Sequence, residues 1–133
     1  METLKSQLPN DELKSLSGIR ILIAEDNDSN YLLLTHILKT YILTRAVNGE
    51  EAVQIAKDGD YDLILMDIRM PVLDGYCATR YIREFNKEIP IIALTANAFD
   101  SDREKALAEG CNDYITKPIR KQQLIDMICK WLV

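Results

Sequence analysis

The sequence predicts a doubly wound α/β fold, a parallel sheet built from five βα units, and three observations predict it. Five apolar runs of strand length recur after residue 18, several of them β-branched and without polar alternation, as strands buried on both faces are. Segments of helix length lie between consecutive runs, with apolar residues at steps of three and four. Strand and helix therefore alternate along the chain, the pattern of a parallel sheet covered by helices on both sides. At 133 residues, the chain suits one domain, within the usual range of roughly 100–200 residues.

Residues 1–18 contain Pro9 and Gly18 without strong periodicity, and read as a linker with a short helix near Asp11–Leu16. The domain proper spans residues 19–133. Its first strand is Ile19–Ala24. A helix over Asp28–Thr40 follows, with Tyr31, Leu34, Leu38 and Tyr41 on one face and Asp28 placed to cap its N-terminus. The second strand, Ile42–Val47, leads through Asn48–Gly49 into a helix over Glu50–Lys57 that stops at the Asp58–Gly59 turn. Leu63–Met66 is the third strand, and Asp74–Gly75 opens a third helix over Tyr76–Asn86. Ile91–Leu94 is the fourth strand. The helix after it, Ser101–Glu109, ends at Gly110, which suits a left-handed C-cap. The last strand lies around Tyr114–Ile115, and the last helix, Lys121–Leu132, sets Leu124, Ile128 and Leu132 on one face.

Lys and Arg number 16 against 21 Asp and Glu, a formal charge of −5. That balance offers no general attraction to nucleic acid or to an anionic membrane, both of which favour basic faces. A hydrophobic fraction of 47% with 28% charged residues is ordinary for a globular domain and argues against disorder. No apolar run approaches the ~18 residues of a membrane span, and the N-terminus lacks the apolar stretch of a signal peptide. Cys77, Cys111 and Cys129 fit neither a disulfide framework nor a metal clip, and read as small packing residues in a reducing compartment. The expected location is cytoplasmic, for the chain itself or as part of a membrane-anchored parent.

In open α/β sheets ligands bind beyond the carboxyl ends of the strands. The residues there are Glu25 and Asp26 after the first strand, Asp67 after the third, Thr95 after the fourth and Lys117–Pro118 after the fifth. Each alone has an ordinary reading: a turn or cap for Asp67, a strand residue for Thr95, a solvated side chain for Lys117. Together, three carboxylates at one edge suit a hard divalent cation with oxygen ligands, Mg²⁺ foremost with Mn²⁺ as its substitute. A lysine and a hydroxyl beside Asp67 would complete a site for a phosphoryl group. The chemistry suggested is attack by an Asp67 oxygen on phosphorus.

With these residues in place, the sequence closely resembles the receiver domain of response regulators in two-component phosphorelays, from Ile19 to Val133. The resemblance rests on Ile-Leu-Ile-Ala-Glu25-Asp26-Asn27, Leu-Met-Asp67-Ile-Arg-Met-Pro71-Val-Leu-Asp-Gly75, Ala-Leu-Thr95-Ala96-Asn97-Ala98 and Asp-Tyr114-Ile-Thr-Lys117-Pro118. It implies a flavodoxin-like sheet of order 2-1-3-4-5, with Asp67 as phosphoacceptor. Glu25 and Asp26 would be the acidic Mg²⁺ pair, with the backbone carbonyl of Arg69 as a further ligand. Thr95 and Lys117 would contact the phosphoryl group, Tyr114 would be the switch aromatic, and the bond before Pro118 would be cis. The acidic pair is Glu-Asp here, where many receivers carry Asp-Asp.

The resemblance implies a phosphodonor histidine on a partner, either a histidine kinase or a histidine phosphotransfer domain, since His36 reads as a polar helix residue. Asn27, Asn30 and Tyr31 are candidates for the donor-facing surface. Phosphorylation would draw Thr95 toward the phosphoryl group and turn Tyr114 inward, although a fixed, half-buried aromatic is the plainer reading of Tyr114. The fourth helix, fifth strand and fifth helix would then present the output face, also the surface through which two copies would pair. The motifs look most like the C-terminal receiver of a hybrid histidine kinase, with a stand-alone regulator as the alternative. Such a receiver catalyses its own phosphorylation and dephosphorylation without being a turnover enzyme. A phosphohydrolase of the haloacid dehalogenase type needs a second Asp two residues after the nucleophile, where Arg69 stands. Neither GxGxxG nor GxxxxGK[ST] occurs, which argues against a nucleotide-binding module.

Overall fold

Arg20–Ala24 (β1), Ile42–Ala46 (β2), Leu63–Asp67 (β3), Ile91–Thr95 (β4) and Asp113–Thr116 (β5) form one sheet in the order β2-β1-β3-β4-β5, every pair parallel. The helices are Asp28–Ile37 (α1), Gly49–Asp58 (α2), Gly75–Phe85 (α3), Asp100–Glu109 (α4) and Lys121–Leu132 (α5). The expected doubly wound order 2-1-3-4-5 is therefore the observed one. The computed structural model describes residues 18–96 and 100–132. The expected linker with its short helix, Asn97 and Ala98 of the fourth-strand motif, and Val133 lie outside the described residues.

Successive side chains leave a strand on opposite sides, so each central strand feeds two apolar layers. Ile21 and Ile23 of β1, Leu63 and Leu65 of β3, and Ile92 and Leu94 of β4 pack with Leu34 of α1, with Leu38 just after it and with Leu124 and Ile128 of α5. Leu22, Ile64, Met66 and Ile91 face the other way, against Ala52 of α2, Ala78 and Ile82 of α3 and Ala106 of α4. β3 and β4 are buried along their whole length, which explains their unbroken apolar sequence. Burying each large aliphatic side chain is worth about 1.5–3 kcal/mol.

Three helix starts share one device. Asn27, Asn48 and Asp74 stand before α1, α2 and α3 in extended backbone, and their side chains accept from the N–H groups of Asn30, Glu51 and Cys77. The cap of α1 is thus Asn27 and not Asp28, whose carboxylate is instead 2.9 Å from Arg45 Nη2. α1 also ends three residues before Thr40, because Leu38 already leaves helical geometry. Leu38 and Tyr41 continue the apolar stripe in the turn that follows, where Tyr41 N–H donates to the Leu38 carbonyl.

Gly110 has φ 117°. Around it the Cys111 N–H donates to the Ala106 carbonyl and the Gly110 N–H to that of Leu107, a Schellman closure of α4. Arg83 of α3 locks this corner: Nε donates to the Gly110 carbonyl at 2.9 Å and Nη2 to Asn112 Oδ1 at 2.8 Å. Among the described residues no helix is long and apolar enough to cross a membrane.

Candidate functional site

From β1 the chain crosses to β2 on one side, then returns past β1 to β3 on the other. The crevice of the sheet therefore opens between the carboxyl ends of β1 and β3, where such sheets bind ligands. Glu25 directly follows β1, and its N–H extends the ladder to the Ala46 carbonyl at 3.0 Å. Its carboxylate is fully buried. Oε2 accepts from the Asn27 N–H at 3.3 Å and Oε1 from Lys117 Nζ at 3.1 Å. Asp26 is exposed beside it.

Asp67 is the last residue of β3 and only 4% exposed. Its Oδ1 accepts from the Arg69 N–H at 3.2 Å and its Oδ2 from Lys117 Nζ at 3.1 Å. One ammonium thus bridges two buried carboxylates contributed by different strands. Carboxylate oxygens of Glu25, Asp26 and Asp67 all lie within 4.8 Å of one another. Thr95 closes β4, buried, and its carbonyl accepts from the Lys117 N–H at 2.7 Å. The Lys117–Pro118 peptide bond is cis.

Burial raises the Glu25 carboxyl above its ordinary range, and the neighbouring Asp67 carboxylate adds to it, while Lys117 opposes both. Burial works against the Lys117 ammonium, yet Asp67 and Glu25 together outweigh it and raise its pKa. Among the described residues, one ammonium is paired with the three-carboxylate cluster, which leaves negative charge uncompensated. That donor set, oxygen-only and without imidazole or thiolate, fits a hard divalent cation such as Mg²⁺.

An open cleft of about 500 Å³ borders the cluster, running from Asp26 and Thr95 past Arg69 and Met70 to Asp102 and Lys105. Its β3–α3 wall contains a tight turn in which the Leu73 N–H donates to the Pro71 carbonyl, with Val72 at φ 70°. A β-branched residue in the left-handed region is strained backbone, and no composition signal marks it.

The sequence-derived residues Glu25, Asp26, Asp67, Thr95 and Lys117 all reach this edge. Tyr114 stands apart on β5, opposite Ala93, half-buried against the core with Arg103 of α4 stacked 5.5 Å from its ring centroid. His36 is exposed in the last turn of α1, at the end away from the site. Of the candidate donor-facing residues, Asn27 uses its side chain as a cap and Tyr31 stacks under Arg45. Sequence reasoning missed Arg45. Its one signal is a basic residue inside an edge strand, flanked by Thr44 and Ala46.

The sheet order and this strand-end cluster define the class: the chain belongs to the response regulator receiver domain family, whose model matches residues 21–129. It is 40% identical over 126 residues to two-component system protein A of Emericella nidulans, covering 90% of this chain and 18% of that protein. It is 41% identical over 120 residues to hybrid signal transduction histidine kinase G of Dictyostelium discoideum, covering 85% of this chain and 4% of that protein. The chain therefore spans only a small part of the curated relatives it matches. Among solved structures, the receiver domain of a Pseudomonas aeruginosa sensor histidine kinase, with a magnesium ion coordinated in its active site cleft, is 44% identical. It superposes with a TM-score of 0.81, covering 86% of this chain and 98% of that one. A Saccharomyces cerevisiae receiver domain, crystallised with a histidine phosphotransfer signaling protein, is 40% identical with a TM-score of 0.81, covering 86% and 88%.

Proposed function

We propose that this receiver is a phosphoacceptor switch in which Asp67 takes a phosphoryl group from a phosphohistidine on a partner kinase or histidine phosphotransfer domain. The observation that carries the reading is Lys117 Nζ, 3.1 Å from both Glu25 Oε1 and Asp67 Oδ2, a cation held where incoming phosphoryl oxygens need one. An Asp67 carboxylate oxygen attacks phosphorus in line with the leaving imidazole nitrogen. The O–P bond forms, and the N–P bond breaks with its electron pair passing to nitrogen. Lys117 neutralises charge on the transferred oxygens, and the Thr95 hydroxyl donates to one of them. Glu25, Asp26, Asp67 and the Arg69 carbonyl are the residues that would hold Mg²⁺, or Mn²⁺ in its place. When bound, the ion supplies further positive charge to the phosphoryl oxygens.

The phosphorylated site then biases two packings of the α4–β5–α5 face: Thr95 moves toward the phosphoryl group and Tyr114 turns into the space it leaves. That face is also where a second copy would dock. The partner class is supported by the yeast receiver crystallised with a histidine phosphotransfer protein, and the ion by the magnesium-bound bacterial one. We assign the chain to the receiver of a hybrid histidine kinase, in the cytoplasm or on the cytoplasmic side of an anchored parent, as similarity to the Dictyostelium kinase supports. The yeast receiver, part of a downstream response regulator, favours a second reading, a regulator without a kinase of its own. A kinase core encoded in the same reading frame selects the first, and its absence the second.

The test is incubation with a small phosphodonor and Mg²⁺ followed by intact-mass measurement. The wild type is expected to gain the mass of one acid-labile phosphoryl group, and Asp67→Asn none. No adduct on the wild type, or the same adduct on the variant, would sink the reading.

A further inference from the structure

β2 contributes to the site through a residue that none of the motifs contains. Arg45 stands opposite Ile23 of β1, and its side chain is only 22% exposed. Its guanidinium meets the β1–α1 turn and the start of α1 at three points. Nε donates to the backbone carbonyl of Glu25 at 3.1 Å. Nη2 lies 2.9 Å from Asp28 Oδ1, a charge contact and not an aligned hydrogen bond, since Nη2 has no hydrogen-bond partner among the described residues. Cζ sits 4.6 Å from the centroid of the Tyr31 ring.

The three partners flank Asp26 in sequence, so one side chain grips the segment that carries the acidic pair. We propose that Arg45 is a positioning residue for the metal: it fixes the Glu25–Asp26 turn so that the pair keeps its geometry against Asp67 despite mutual repulsion. The inference rests on the reading of Glu25, Asp26 and Asp67 as Mg²⁺ ligands. Asp28 is 88% exposed, so its ion pair with Arg45 adds little energy. What it does is direct the Asp28 carboxylate onto Arg45 and away from a pocket that already holds three. The hold on the turn comes from the Glu25 carbonyl bond and the stacking on Tyr31. A planar guanidinium makes both at once, which an ammonium on a flexible stem does not.

Residues that orient metal ligands from behind affect affinity by roughly 10–100-fold when replaced. Arg45→Met and Arg45→Lys in the full chain, titrated with Mg²⁺ and followed by amide chemical shifts of residues 25, 26 and 67, test this. Unfolding midpoints measured in chelator accompany the titration. Arg45→Met is expected to weaken Mg²⁺ binding about tenfold or more. Arg45→Lys, which keeps the charge and the apolar stem, is expected to stay folded and still bind Mg²⁺ more weakly than the wild type. A residue that only staples the fold lowers the midpoint and leaves the Mg²⁺ affinity of the folded protein untouched. If both variants bind within about twofold of a wild type that itself binds, this inference falls while the metal site stands. If the wild type binds no Mg²⁺, the reading of the site falls first.

Discussion

Lys117 settles the electrostatics of Glu25 and Asp67 only in part, and Glu25 shows the remainder. Its carboxyl is raised by burial and by Asp67, and Lys117 does not cancel the two. The folded protein therefore holds the Glu25 proton more tightly than the unfolded chain, whose value is near the ordinary 4.5. Without metal, this group's contribution to stability is complete below that value and is lost as pH rises through the raised folded value. A cation bound to the same oxygens must displace that proton. Mg²⁺ affinity is thus expected to increase with pH through the Glu25 titration, with a proton released on binding wherever Glu25 still holds one. Calorimetry in two buffers of different ionisation enthalpy measures the release directly. Glu25→Gln should abolish it, and release that persists in this variant would place the proton elsewhere.

The starts of α2 and α3 pack so closely on neighbouring backbone that neither position has room for a side chain. A Cβ at Gly75 would lie 2.3 Å from the Asp67 carbonyl oxygen and 2.8 Å from Ile68 Cα, and one at Gly49 would lie 2.0 Å from the Leu73 carbonyl oxygen. All three of these atoms are backbone, so relief requires moving β3 or the β3–α3 loop. Gly75→Ala is expected to cost about 1–3 kcal/mol, the usual range for overpacking, seen as a lower denaturant midpoint. Because it pushes on Asp67 itself, its phosphorylation rate should fall as well; an unchanged midpoint would show that the helix shifts freely. The elements around these glycines were legible in sequence because each rests on a local signal. β3 and β4 are buried on both faces and read as unbroken apolar runs, while α5 shows Leu124 and Ile128 at helical spacing. Where the reading slipped, a residue from another element decided the outcome. Asn27 and Asp28 are both good capping types, and it is Arg45 of β2 that engages Asp28. The stripe through Tyr41 outlasts α1 because the turn after it packs on the same core. The acidic cluster was legible because parallel strands must deliver their ends to one edge. Arg45 was not, since its role depends on the register that sets it opposite Ile23.

The molecule as a whole couples that edge to its stability. Glu25 and Asp26 follow β1 while Asp67 closes β3, so the three carboxylates lie within 4.8 Å of one another only when β1 and β3 are paired. The unfolded chain has no such site, and a cation bound there stabilises the fold by mass action. At ten times its dissociation constant the gain is about 1.4 kcal/mol, which for a domain of this size raises the unfolding midpoint by about 5 °C. Screening of the net charge of −5 also stabilises, so the comparison is made against NaCl of equal ionic strength. Asp26→Asn removes an exposed carboxylate from the cluster without opening a cavity. In chelator this variant is expected to unfold no lower than the wild type, because like-charge repulsion has been relieved. With Mg²⁺ the order reverses: the wild type rises and the variant does not. A wild-type midpoint that moves no further with Mg²⁺ than with NaCl would show that the three carboxylates do not bind the ion. A variant that gains as much as the wild type would show that Asp26 is no ligand.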